Sequence, residues 1–182
     1  MSFTFEVQSI PAVILIHRRR HEDDRGTLTE FYKKSRFAEV GLDLDFVQDN
    51  QVSSTRHVLR GLHYQLPPAA QGKLVSVTRG RVLDVAVDLR REEPTYRRWV
   101  ANELSGEGGQ MVWIPPGFAH GYLVLSDEAD VHYKATAEYA PGLDRGIRWD
   151  DPSIGIPWPT QQPHLSEKDR HLPFLPEAEN PF

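Results

Sequence analysis

Leu74-Val75-Ser76-Val77-Thr78-Arg79-Gly80-Arg81-Val82-Leu83-Asp84-Val85-Ala86-Val87-Asp88-Leu89 is the stretch on which the fold reading turns. Two runs of β-formers flank Arg79-Gly80-Arg81, and the pattern reads as a hairpin with its turn at Gly80. In the second run Leu83, Val85, Val87 and Leu89 share one face, while Asp84, Ala86 and Asp88 share the other. That period of two is the signature of a strand with unlike faces. Short strands of the same kind recur on both sides: Val13–Ile16, Thr27–Tyr32, Phe46–Val52, Trp99–Leu104, Met111–Ile114, Gly121–Ser126 and Val131–Thr136. Phe46–Val52 has a polar centre, which fits either an exposed edge or the wall of a polar pocket.

Helical signals are few. Ser35–Val40 reads as one short helix with Ser35 as N-cap and Gly41 as stop, and Ser166–Arg170 as a single turn. From Ala140 onward proline, glycine and tryptophan recur, as in an irregular cover laid over sheets. Many short strands with glycine and proline turns imply an all-β, antiparallel sandwich or barrel; a cupin-like jelly roll with short peripheral helices is the expected architecture. Its interior can hold a ligand between alternating strand residues. The expected organisation is one domain over residues 1–182.

The chain of 182 residues is 39% hydrophobic and 26% charged, values of a globular protein with a proper core. A net charge of -5 argues against non-specific nucleic-acid or membrane-surface binding. Zero cysteines exclude disulfides and thiolate metal sites. No apolar run is long enough to span a bilayer, and Met1–Glu6 lacks the basic-then-apolar pattern of a signal peptide. A cytoplasmic location is the expectation. The basic run His17-Arg18-Arg19-Arg20-His21 gives way at once to Glu22-Asp23-Asp24, and reads as a solvated loop rather than a nucleic-acid patch.

Chemistry concentrates between Leu59 and Lys73, where Arg60 and Lys73 lie on either side of His63. In a regular strand Arg60 and His63 would face opposite ways; Gly61 between them allows a bulge that turns both to one side. A neutral histidine can accept a proton near physiological pH, and neighbouring cations stabilise the anion that results. The plainer alternative is a hydrogen-bonded structural histidine. Tyr133 alternates with Val131 and Ala135 on a face that can look inward, and its phenol can act as general acid. Asp169 can orient a histidine tautomer as the third member of a triad does. A catalytic metal is not expected: metal-binding jelly rolls place two histidines one residue apart, and His63 is followed by Tyr64 and Gln65. Neither a nucleophile elbow nor a glycine-rich phosphate loop is present, which removes support for hydrolase and kinase readings.

Several segments closely resemble the dTDP-4-dehydrorhamnose 3,5-epimerase family, in family order. They are Asp24-Arg25-Gly26, Phe46-Val47-Gln48-Asp49-Asn50, Leu59-Arg60-Gly61-Leu62-His63-Tyr64-Gln65 and Gln71-Gly72-Lys73. Further along come Ile114 to Gly121, Tyr133-Lys134-Ala135-Thr136, Trp149-Asp150-Asp151-Pro152 and Leu165 to Asp169. The departures are Asp150, where the family often has Asn, and Asp144, where it often has Glu. The resemblance implies epimerisation of dTDP-4-dehydro-6-deoxy-D-glucose at carbons 3 and 5 through an enolate, in dTDP-L-rhamnose biosynthesis. It implies His63 as base with Asp169 orienting it, Tyr133 as acid, and Lys73 and Arg60 on the enolate oxygen. It further implies that Arg25, Glu30, Gln48, Asp49, Asn50, His120, Asp144 and Lys168 hold the nucleotide sugar and that Tyr139 stacks on thymine. Homodimers without metal or other cofactor are the family pattern, some completing a site with a partner strand. The rival expectations are an epimerase that inverts one carbon for natural-product glycosylation, and a non-catalytic jelly roll that binds a nucleotide sugar.

Overall fold

A computed structural model describes residues 2–182. The strands are β1 (Phe3–Val7), β2 (Ile14–Arg18), β3 (Arg20–Asp23), β4 (Gly26–Thr29), β5 (Gln48–Thr55), β6 (Leu59–Gln65) and β7 (Lys73–Arg79). They continue as β8 (Arg81–Asp88), β9 (Trp99–Ser105), β10 (Gln110–Ile114), β11 (Phe118–Val124), β12 (Glu128–Ala135) and β13 (Asp144–Gly146). The two helices are α1 (Lys34–Ala38) and α2 (Glu167–Arg170). A six-stranded sheet runs β1-β2-β10-β7-β12-β5, and a five-stranded sheet runs β13-β6-β11-β8-β9. Every named pairing is antiparallel, and β3 pairs only with β4. The jelly-roll expectation holds.

Strand alternation sorts the apolar residues into three layers. Val75, Val77, Val131, Val82, Ala86 and Tyr122 come from both sheets and meet between them. Leu59, Leu62, Val85, Val87 and Leu123 lie on the outer face of the five-stranded sheet, where Ile147, Trp158 and Leu175 of the C-terminal segment cover them. Ile16, Leu74 and Met111 lie outside the six-stranded sheet beneath Phe37 of α1. The apolar face of β8 is therefore the outer one, and Asp84 and Ala86 point inward. The C-terminal residues form a strap: Asn180 Nδ2 donates to the Leu89 carbonyl (2.8 Å), and the Tyr64 hydroxyl to that of Glu179 (2.7 Å).

Three local expectations need correction. β7 and β8 are not a hairpin; β7 pairs with β10 and β12, and β8 with β9 and β11. Arg79-Gly80-Arg81 is a sandwich corner that carries the chain from one sheet to the other, because both strands send their small apolar residues into the layer between. Ser35 lies inside α1, which starts after Lys33 without a side-chain cap. Burial of Phe37 holds this helix, so its boundary did not depend on capping. The run His17–His21 is no solvated loop: it ends β2 and begins β3, and Arg18 is buried.

The bulge anticipated at Gly61 is present. His120 lies opposite His63 and Tyr122 opposite Arg60, so two steps along β11 match three along β6. Gly61 has φ +131°, and a Cβ there would lie 2.5 Å from Gly121 Cα and 2.9 Å from the His120 carbonyl oxygen. Gly61→Ala should therefore lower stability by about 3 kcal/mol or more, from strain and a backbone clash. Chemical denaturation measures it; a midpoint equal to that of the parent chain would refute the role given to Gly61.

Candidate active site

The bulge sets the site. With Leu59 and Leu62 both anchored in the outer apolar layer, Arg60 and His63 both face the interior. There they meet residues on the inner face of the six-stranded sheet. Lys73 begins β7, Tyr133 lies in β12, and Asn50 of β5 sits opposite Tyr133. His63, Gln71, Lys73, Tyr133, Tyr139 and Asp144 line one recess of about 90 Å³.

His63 Nε2 lies 2.6 Å from Asp169 Oδ1. Asp169 is buried and its backbone N–H donates to the Ser166 hydroxyl (3.1 Å), the cap that fixes α2. Burial alone would raise the Asp169 carboxyl, but hydrogen bonding to His63 and Ser166 outweighs it and holds the carboxyl below its ordinary range. An ionised Asp169 accepts a hydrogen bond from Nε2–H, which leaves Nδ1 as the basic nitrogen of the neutral ring. The same geometry recurs one strand over, where His120 Nε2 lies 2.7 Å from Asp84 Oδ2 with both side chains buried.

Lys73 and Arg60 lack carboxylate partners. Neither Lys73 nor Arg60 makes a salt bridge among the described residues; Arg60 Nε donates to the Ser54 hydroxyl (3.1 Å). Burial pulls the Lys73 ammonium down to about 8, against the raising influence of Asp144 and Asp84. Lys73 Nζ lies 5.9 Å from the centre of the Tyr133 ring. Burial raises the Tyr133 phenol, partly opposed by Arg60 and reinforced by Asp144, so Tyr133 keeps its proton at neutral pH.

At the rim, Tyr139 is held at both ends. Its hydroxyl donates to Asp144 Oδ2 (2.8 Å) and its backbone N–H to Gln48 Oε1 (2.7 Å). Lys168 Nζ reaches the same Asp144 oxygen (2.5 Å), and Gln48 Nε2 donates to Asn50 Oδ1 (3.0 Å). The ring of Tyr139 stays about half exposed, a flat apolar surface at the mouth.

Several sequence-predicted residues do not line this recess. Arg60 is exposed and lines a neighbouring cleft with Ser53, Ser54 and Val58. Asp49 alternates away from Gln48 and Asn50 and pairs with Lys134 Nζ (2.7 Å) on the other face of the sheet. Arg25 stands on the exposed β3–β4 hairpin, paired with Asp23 (2.6 Å), and Glu30 follows that hairpin. Conversely, sequence reasoning assigned no role to Asp84, Ser54 or Tyr122, the last buried beside Arg60 and Ser54. The legible signal for Asp84 was an acid at the centre of an apolar strand. Ser54 and Tyr122 gave none. Among the described residues no group of three or more His, Asp or Glu side chains converges as a metal site needs.

Comparison with known proteins agrees with this geometry. The family model described as dTDP-4-dehydrorhamnose 3,5-epimerase matches residues 7–177. The chain is 53% identical over 173 residues to the dTDP-4-dehydrorhamnose 3,5-epimerase of Pseudomonas aeruginosa, covering 94% of this chain and 95% of that one. It is 51% identical over 161 residues to the Shigella flexneri enzyme of that name, covering 88% and 89%. Its fold superposes with TM-score 0.94 on the Legionella pneumophila dTDP-6-deoxy-D-glucose-3,5-epimerase RmlC, crystallised with dTDP-4-keto-L-rhamnose; identity is 42%, with 97% and 95% of the two chains covered. A matching family model over almost the whole chain, with relatives at half identity, makes this chain a member of the dTDP-4-dehydrorhamnose 3,5-epimerase family.

Proposed function

We propose that the recess between the sheets is where this chain, a dTDP-4-dehydrorhamnose 3,5-epimerase, moves protons beside a sugar ketone. The substrate is dTDP-4-dehydro-6-deoxy-D-glucose and the product dTDP-4-dehydro-L-rhamnose, a step in dTDP-L-rhamnose biosynthesis. The observation that carries the division of labour is placement: His63 stands on one sheet, Tyr133 on the other, and both face one recess. A hydrogen on the carbon next to a ketone is acidic only as far as the enolate is stabilised. His63, held by Asp169, takes that proton, worth about 10²–10⁴ in rate. Lys73 and Arg60 bear on the enolate oxygen, each worth several kcal/mol in a dry site. Tyr133 returns a proton from the opposite face, which inverts the carbon. The ketone acidifies both neighbours, so carbons 3 and 5 share one apparatus. The reaction is redox-neutral, and no nicotinamide is called for.

Tyr139 offers its ring to thymine, with Asp144, Gln48, Asn50, His120 and Lys168 around the nucleotide sugar. Arg25 has the planar fork that suits a diphosphate. Its exposed hairpin supports a homodimer in which Arg25 and Glu30 serve the partner's recess. Asp49 acts from outside the recess, through its pairing with Lys134. We assign the whole chain to one epimerase domain working in the cytoplasm.

Proton NMR of dTDP-4-keto-6-deoxyglucose in deuterated water tests the assignment. Deuterium should enter at carbons 3 and 5, His63→Ala should abolish exchange while keeping binding, and Tyr133→Phe should cut product yield more than exchange. Entry at one carbon alone would point to a single-carbon epimerase, and normal exchange in His63→Ala would remove His63 as base.

The pH profile tests Lys73. Its ammonium exists in the folded chain only below about pH 8, so kcat/KM should fall above that pH by about tenfold per unit. Lys73→Arg should remove this limb, because a guanidinium stays charged, at a lower plateau. The stability effect has the opposite sign: between about 8 and the ordinary lysine value the unfolded chain binds more protons, so stability rises with pH. An unchanged alkaline limb in Lys73→Arg would exclude Lys73 as its cause.

A further inference from the structure

Ser54 and Tyr122 stand beside Arg60, and the epimerase reading leaves both without a task. Ser54 lies on β5, the edge strand of the six-stranded sheet, opposite Ala129. Arg60 lies on β6 of the other sheet, yet its Nε donates to the Ser54 hydroxyl (3.1 Å). This hydrogen bond therefore crosses from one sheet to the other. Its serine end is buried, while Arg60 is exposed. Tyr122 is the cross-strand partner of Arg60 at the bulge and of Asp84 on β8. It is buried, and its hydroxyl has no hydrogen-bond partner among the described residues. Burial raises the phenol to about 12, with Arg60 and Ser54 pulling the other way, so both groups lie close to it. A buried hydroxyl without a partner is costly and calls for an explanation. The Ser54 oxygen has two lone pairs, and Arg60 Nε occupies one of them.

The cleft next to Arg60 shows what this contact prevents. Arg60 and Ser54 line it together with Arg79 and Glu128, and it has a volume of about 310 Å³. Glu128 is an acid within reach of that space, held by Arg79 (2.6 Å). An exposed arginine with no fixed contact spreads over many rotamers. A guanidinium that swung out into the cleft would leave the reacting sugar. Ser54 takes Nε, which fixes the plane of the group and leaves the two Nη donors as a fork of set direction. An anion formed during reaction is stabilised most by a cation already in place, because nothing then has to reorient.

We propose that Ser54 is a positioning residue for epimerisation: it holds the Arg60 fork at the reacting sugar through Nε, and the Tyr122 hydroxyl supports Ser54 through its second lone pair. The inference rests on the reading that Arg60 bears on the enolate oxygen. Steady-state rates with dTDP-4-keto-6-deoxyglucose test it. Ser54→Ala should lower kcat about tenfold and leave KM within about twofold, because the oxygen gains its charge only as the proton leaves. Tyr122→Phe should lower kcat about threefold, and Ser54→Thr, which keeps the hydroxyl, should retain at least about half of the parental kcat. Thermal unfolding of Ser54→Ala should stay within about 2 °C of the parent chain. The deciding measurement is a cycle with Arg60→Met, which alone should cost about 10²-fold in kcat. In that background Ser54→Ala should change kcat by less than about twofold, since the group it positions is gone. A purely structural serine would cost about tenfold in both backgrounds. Parental kcat in Ser54→Ala, or the same loss repeated in Arg60→Met, would overturn the role of Ser54 and leave Arg60 in place. Parental kcat in Arg60→Met would instead remove Arg60 from the enolate oxygen, and the role of Ser54 with it.

Discussion

One extra residue in β6 decides where the chemistry can be. Between the pairs His63–His120 and Arg60–Tyr122, β6 spends three residues and β11 two. Without that bulge Arg60 would be turned into the apolar layer that holds Leu59 and Leu62. A charged guanidinium there would cost far more than a single hydrogen bond returns. The bulge exists because Gly61 and Gly121 let two backbones approach to a distance that a Cβ on either would block. Two glycines on adjacent strands therefore fix the proposed base, His63, and one proposed cation, Arg60, on the same wall.

The electrostatics of the interior follow from how its acids are engaged. Asp169 is taken up by His63, Asp84 by His120, and Asp144 by Tyr139 and Lys168. Each carboxylate orients a neighbour, and none closes on Lys73 or Arg60. A chain of net charge -5 thus keeps a cationic spot where the proposed mechanism forms an anion. The low value of Lys73 expresses the same fact: its charge is destabilised by burial and awaits a partner. Such a group interacts more strongly with a developing oxyanion than with a neutral ketone, which is the condition for lowering a barrier.

The sequence carried the strand pattern well, because Leu83, Val85, Val87 and Leu89 against Asp84, Ala86 and Asp88 admit only a period of two. It did not carry which strands pair. Arg79-Gly80-Arg81 has the composition of a hairpin turn, and only the packing of Val75 and Val77 against Val82 and Ala86 makes it a corner. Nor did alternation say which face is inward: the apolar face of β8 is outermost, under a C-terminal cover far away in sequence. The pairing of His63 with Asp169 spans a hundred residues, and no local pattern encodes it; resemblance supplied it. Arg18 sits in a run that composition marks as solvated, yet it is buried, with the ring of Phe31 and the Gly109 carbonyl against it.

A two-sheet architecture suits a reaction that inverts stereochemistry. Epimerisation needs one group to remove a proton and another to deliver one from the opposite side, and a single surface cannot present both. A sandwich whose sheets stand about 10 Å apart offers two facing walls at the width of a sugar ring. The proposed base is rooted in β6 and the proposed acid in β12, each in a paired interior strand with little freedom. Lys73 enters from β7, next to β12, so the cation shares a wall with the acid, while Arg60 shares one with the base. In the proposed reaction the enolate oxygen is reached from both sides at once, and the ring can lie between the walls. Rigid strands hold such an arrangement more closely than loops would, and proton transfer at carbon is sensitive to displacements of that size.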